Sequence, residues 1–176
     1  NTLYRNEGEG LFADVAVGVG LGRASFHFVG FGTGFFDHDN DGDLDLLVAN
    51  GHVYPQIERA GSGTRYAQPD QLFDNSGRGR FALLLPADGD SLGAARVSRG
   101  SAIADYDDDG DLDILVANLN DRPALLRNDV GNKQNWLGVK LVGEKSNRDG
   151  IGARLRLAAG GRVQIRDIIS GSSFLS

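Results

Sequence analysis

Short apolar runs, β-branched in part and bounded by turn residues, recur along the chain: "GFGTGFF" at 30–36, "LLVAN" at 46–50, "SRGSAIA" at 98–104 and "ILVAN" at 114–118. Runs of this length and composition predict strands buried on both faces. Between them, "LYRN-EGEG-LF" at 3–12 and "LFDN-SGRG-RF" at 72–81 place glycines between apolar residues, as hairpin turns require. After Gly131 the pattern changes. "NWLGVKLVG", "ARLRLAA" and "RVQIRDII" alternate apolar and polar residues, which predicts strands with one solvated face, and "AAGG" at 158–161 predicts a hairpin turn.

The pattern repeats. "FFDHDNDGDLDLLVAN" at Phe35 to Asn50 realigns with "IADYDDDGDLDILVAN" at Ile103 to Asn118, an offset of 68 residues. A second unit recurs out of phase with it, at Asn1, at Asp70 and, in a worn copy "PALLRNDVGN", at Pro123. The order is half-unit, acidic loop, half-unit, acidic loop, half-unit, and one repeat supplies about four short strands, the content of one propeller blade. The insertion from Gly51 to Pro69 has no clear period and reads as a surface loop. The expected fold is all-β: propeller-like blades over 1–130 and a small β module over 131–176, the first an incomplete ring and the second cut before its natural end.

Composition sharpens this picture. Glycine, at 26 of 176 residues, fits a turn-rich β chain, and no apolar run approaches the ~20 residues of a membrane-spanning helix. With no cysteine, there is neither a disulfide framework nor a thiolate metal site. The chain has no methionine, so Asn1 is not expected to be the start of translation. The net charge of −6 is local. Of 24 acidic residues, 11 lie between Asp37 and Asp45 and between Asp105 and Asp113, which leaves 13 acids against 18 basic residues elsewhere. Local acidity points to a cation site rather than to a solvating surface, and scattered arginines without a basic block argue against nucleic acid.

The two acidic stretches carry the chemistry. Numbered from Asp37, carboxylates fall at positions 1, 3, 5, 7 and 9 (Asp37, Asp39, Asp41, Asp43, Asp45) with glycine at position 6. The second stretch matches with Asp105, Asp107, Asp109, Asp111 and Asp113 around Gly110. Calcium takes ~6–8 oxygen ligands, and side chains at alternate positions of a tight loop converge on one ion. By analogy with calcium loops of this spacing, Asp43 and Asp111 offer backbone carbonyls and point their side chains outward. An EF-hand needs a bidentate Glu at position 12 and flanking helices, whereas Val48 and Val116 stand there. Position 9 must close the site instead. Magnesium demands near-octahedral geometry, and zinc and copper prefer nitrogen and sulfur ligands. Two Ca2+ sites are therefore expected.

Other candidates are weaker. His27, His38 and His52 lack ligand spacing; His38, at position 2, is expected to face solvent, and the other two to be structural. "GLGRASFHFVGFGTG" leads into a β hairpin rather than a phosphate-binding helix. Ser25, Ser172 and Ser173 lack a nucleophile-elbow pattern. Trp136 and the "LF" aromatics read as core residues.

"FDHDNDGDLDLLVAN" and "ADYDDDGDLDILVAN", each near an "LYRNEGEGLF"-type hairpin, resemble FG-GAP/VCBS-type repeats, the calcium-loop blades of integrin-like β-propellers. "NGHVYPQ", "NWLGVKLVGEKSNRDGIGARLRL" and "QIRDIISGSSFLS" look like the ASPIC/UnbV group. The resemblance covers nearly the whole chain. It implies a calcium-stabilised, secreted or cell-surface module without enzymatic activity, linked to adhesion or matrix, with Asp37, Asp39, Asp41 and Asp45 and their counterparts Asp105, Asp107, Asp109 and Asp113 as side-chain ligands.

Two blades cannot close a ring that needs 4–8. An open array presents sheet edges, so either the remainder of the ring lies outside this chain or another copy supplies it by head-to-tail self-association into a filament, with a cell-surface or matrix protein or a glycan as the alternative partner. In that alternative, a ligand-binding propeller fragment, the 51–69 loop does the recognising.

Overall fold

The computed structural model describes residues 1–87, 89–171 and 173. The chain is all-β, and its described residues form four small antiparallel sheets. β1 (Tyr4–Gly8) pairs with β2 (Leu11–Asp14). Then β3 (Gly30–Phe36), β4 (Asp45–Asn50), β5 (Gln71–Asn75) and β6 (Phe81–Leu83) form a four-stranded blade in sequential order. A second blade follows from β7 (Ser98–Ala104), β8 (Asp113–Asn118) and β9 (Ala124–Leu126). β10 (Arg154–Ala159) and β11 (Arg162–Asp167) form the C-terminal hairpin, which turns at Gly160–Gly161.

The two blades pack face to face. β4 is buried along its whole length, so its alternate residues feed two cores. Leu47 and Ala49 meet Ile114 and Val116 of β8, together with Phe36 and Leu92, between the blades. Leu46 and Val48 point the other way and pack with Phe73, Leu21 and Ala16. Fully burying each of the Leu, Ile, Val and Phe side chains among them contributes about 1.5–3 kcal/mol. The edge strands β3 and β7 lie very close, and a Cβ at Gly32 would stand 2.6 Å from the backbone nitrogen of Ser101. Arg99 fastens the same seam. Its guanidinium lies 4.3 Å from the Phe31 ring centroid and donates to the carbonyls of Gly51 and His52, each at 3.0 Å.

Some expectations are corrected. Residues 135–143 form no strand, although "NWLGVKLVG" alternates; most of their side chains are exposed, so no core rewards that alternation. The glycine-rich stretch before β3 makes a single turn of helix, α1 (Leu21–Ala24), whose Leu21 plugs the core of the first blade. The third half-unit yields only β9, because "RNDVGN" lacks the paired glycines of the other two, and Gly131–Lys133 coil into a 3-10 turn instead. Of the "LF" aromatics, Phe73 is fully buried while Phe12 is exposed. Trp136 is not a core residue; it is 52% exposed and lies over Gly110. The 51–69 insertion is exposed at its middle, but His52 and Gln68 at its ends are buried, and Gln68 accepts from Val29 N and donates to His27 O.

Candidate metal centres

Each acidic loop joins the first two strands of its blade: 37–44 between β3 and β4, and 105–112 between β7 and β8. The loops fold alike. Position 4 is left-handed in both, at φ 57° for Asn40 and 58° for Asp108, as the short polar side chains of Asn and Asp allow. Position 6 is left-handed too, at φ 96° for Gly42 and 97° for Gly110, a conformation that glycine adopts without strain.

This winding turns successive N–H groups onto the carboxylates. Asp37 accepts from Asp41 N and Gly42 N, both at 3.0 Å, and Asp105 accepts from Asp109 N at 3.2 Å and Gly110 N at 3.1 Å. Asp41 accepts from Asp43 N at 2.8 Å, and Asp109 from Asp111 N at 3.2 Å. Position 9 is a fixed point in both. Asp45 takes the N–H of His38 at 2.9 Å on one oxygen and that of Asn75 at 2.8 Å on the other; Asp113 takes those of Tyr106 and Asn128, both at 2.8 Å.

Carboxylate oxygens of Asp37, Asp39 and Asp41 lie within 4.8 Å of one another, as do those of Asp105, Asp107 and Asp113. Burial lifts the Asp37 carboxyl above its usual range against the opposing Gly42 N–H, and the charges of Asp41 and Asp45 add to the rise. Asp41 is likewise raised by burial and by the charges of Asp39, Asp43 and Asp45. Asp45 behaves differently: burial pushes it up, but the His38 ring and the N–H groups of His38 and Asn75 together hold it low. Clustered oxygens whose ionised form is disfavoured by burial and then by one another suit a cation, whose charge reverses that balance.

The position-7 residues part company. Asp43 is half-buried against Gly77 and pairs with Arg162 at 3.3 Å. Asp111 does not point outward as expected: it is 1% exposed, its Oδ2 accepts from Asn132 N at 3.1 Å, and its Oδ1 has no hydrogen-bond partner among the described residues. The turn at 131–133 covers it, and the missing side chain of Gly131, where a Cβ would fall 2.8 Å from Asp111 Cβ, makes room. A buried carboxylate oxygen without a donor is costly, which adds to the excess of acceptors around the second loop, and an all-oxygen donor set of this kind fits a hard cation. His38 also departs from expectation. Its Nδ1 is turned onto Asp45 at 2.8 Å and the side chain is mostly buried, because the position-9 carboxylate sits directly beside it.

Several residues that hold the loops escaped the sequence reading. Asn75 and Asn128 donate their side-chain amides to the carbonyls of Leu44 and Leu112 at position 8, and each accepts a backbone N–H two residues on, from Gly77 and Val130. Their signal was the asparagine shared by "LYRN", "LFDN" and "LLRN". β11 lays its alternate residues Arg162, Gln164 and Arg166 over the first loop. Arg162 donates to Asp41 O at 2.6 Å, the Gln164 amide lies against Gly42, and Arg166 stands 3.8 Å from Asp37. Nothing in local sequence announces that contact across 121 residues of chain. His27 and His52 lie outside these groups: His27 lines a cavity of ≈ 740 Å³ with Phe26, and His52 is buried.

Comparison with known families agrees with this geometry. The FG-GAP-like repeat family matches residues 37–116, which hold both acidic loops, and the ASPIC and UnbV family matches residues 143–176, which hold β10 and β11. No curated protein matches the chain. Residues 37–116 are thus FG-GAP-like repeats, followed at 143–176 by a segment of the ASPIC and UnbV family.

Proposed function

We propose that this chain is a calcium-dependent, non-catalytic structural or adhesion module that works outside the cell. FG-GAP-like repeats are typical of extracellular or surface proteins, and among the described residues no helix is long and apolar enough to cross a membrane. The observation that carries the reading is the duplicated loop: two sets of three carboxylates, converged by the same left-handed residues at positions 4 and 6. Asp37, Asp39, Asp41 and Asp45 would hold one ion, and Asp105, Asp107, Asp109 and Asp113 the other. A bound ion supplies charge compensation, and because an unfolded loop cannot converge these oxygens, binding adds directly to folding stability.

The test is thermal unfolding at neutral pH with calcium at about 100 times the dissociation constant and again after chelation, where linkage predicts a loss of about 2.7 kcal/mol per site. An unchanged melting temperature would sink the reading. Magnesium at the same concentration should restore little.

Head-to-tail self-association has its own support. Leu47 of the first blade is fully buried against the second blade, whereas its counterpart Leu115 is 46% exposed, and so is Leu125 beside it on β9. β1 is exposed along its length. A second copy offers its exposed β1–β2 hairpin to that surface, and sedimentation of the wild-type chain against Leu115→Lys reads the contact: loss of a concentration-dependent oligomer supports it, and a monomer throughout removes it.

A further inference from the structure

The two loops are joined to each other. Asn40, at position 4 of the first loop, donates its side-chain amide across the blade seam to Gly110 O, at position 6 of the second loop, and to Gly131 O, both at 3.0 Å. The return contact comes from Asn128. Its backbone N–H sits on Asp113 at 2.8 Å, and its side chain donates to His38 O in the first loop at 2.6 Å and to Leu112 O in the second at 3.3 Å. Gly131, which receives the second Asn40 bond, opens the turn that buries Asp111, and the next residue, Asn132, grips Asp111 Oδ2 at 3.1 Å and Asp109 Oδ2 at 2.6 Å. Asn40 is thus at once a left-handed hinge of one loop and an anchor for the backbone and carboxylates of the other.

We propose that the two cation sites are positively coupled through Asn40 and Asn128, so that an ion in the first loop strengthens binding in the second. The inference rests on the calcium reading above and adds its regulation. Ordering the first loop fixes Asn40 in its left-handed turn. The fixed amide then holds Gly110 and the 131–132 turn where the second site needs them, so the second ion meets a loop whose ordering cost has already been met. Coupling between sites is reciprocal and amounts typically to 5–150-fold in affinity. The contact is one-directional in sequence. Asp108, the counterpart of Asn40, is a carboxylate and has no amide to offer a carbonyl.

Trp136, the one tryptophan of the chain, lies over Gly110 and so reports on the second loop by fluorescence. Calcium titrations of the whole chain should show Asp41→Ala, which disables the first site, weakening the tryptophan-reported site at least 5-fold. In an Asn40→Gly background, which keeps the left-handed backbone but removes the amide, the same Asp41→Ala change should shift that site less than 2-fold. Asp109→Ala, read by calorimetry at the first site, supplies the reciprocal arm should Asp41→Ala fail to fold. If the first site is lost while the second keeps its affinity, the coupling is overturned and the calcium reading survives. If the wild-type chain binds no calcium, both are overturned. A coupling that persists at full size with Asn40→Gly also overturns the route proposed here.

Discussion

The blade at 30–83 and the blade at 98–126 repeat one sequence pattern and one loop geometry, yet they stand in different surroundings. The first is covered on both faces, by Leu21 and Ala16 on one side and by the second blade on the other. The second is covered on one: Ile114 and Val116 are buried while Leu115 between them is not. The loops differ in the same way. The first lies under the cationic face of β11, with Arg162 and Arg166 on its carboxylates and His38 on Asp45. The second lies under Trp136 and the 131–133 turn, where Asn132 holds Asp109 low. Spacing of residues within a loop fixes its winding; charge compensation and burial are supplied by whatever distant segment lands on it.

The largest expected effect tests the blades. Leu47→Ala should cost about 2–5 kcal/mol in denaturant unfolding, since it empties a fully buried site, whereas Leu115→Ala at the matching position should cost well under that. Equal losses would mean that the second blade is covered in solution.

Next come the position-6 glycines. Gly42→Ala and Gly110→Ala each force an alanine into a left-handed turn, at about 1–2 kcal/mol. Only the second also drives a methyl group into the indole of Trp136, while the first meets the flexible end of Gln164. Gly110→Ala should therefore be the more damaging and should shift the tryptophan emission, and Gly42→Ala should leave that emission unchanged.

The smallest effect is a difference in pH response in chelated protein. The hydrogen bond to Asp45 raises the His38 pKa above the usual value of about 6.5 despite its burial, so that contribution is complete below about pH 6.5 and is lost as pH rises through the higher folded value. Asp45 is held below its usual range, so its contribution is present above about pH 4 and lost on further acidification. Stability from the pair should peak between those limits. His38→Tyr, which gives the first loop the residue that the second has at position 2, should flatten the alkaline side when unfolding is followed from pH 5 to 8. A slope that survives the change would assign the pH dependence elsewhere.

Much of this was legible in the chain because it is local. The strands β3, β4, β7 and β8, the C-terminal hairpin and both loops follow from patterns no longer than seven or nine residues, whose turn glycines and alternating side chains carry their own geometry. What failed was residue environment. His38 and Asp111 read as solvent-facing from their loop positions, and Trp136 read as core from its chemistry, but exposure is set by which segment packs above a residue, and the neighbours here arrive from far along the chain. The strand expected at 135–143 failed for the same reason, since alternation forms a strand only where a core receives its apolar half.

By itself, then, the sequence determined the repeat, the all-β class and the loops that gather carboxylates, since backbone sterics at Asn40, Gly42, Asp108 and Gly110 and the two-residue period of a strand act within a few bonds. Only the tertiary structure decided which loop lies under the arginines, which carboxylate oxygen is left buried without a donor, and that Asn40 of one loop holds the backbone of the other. Those outcomes depend on the packing of Leu47 and Ala49 against Ile114 and Val116, which brings two distant loops within reach of a single amide.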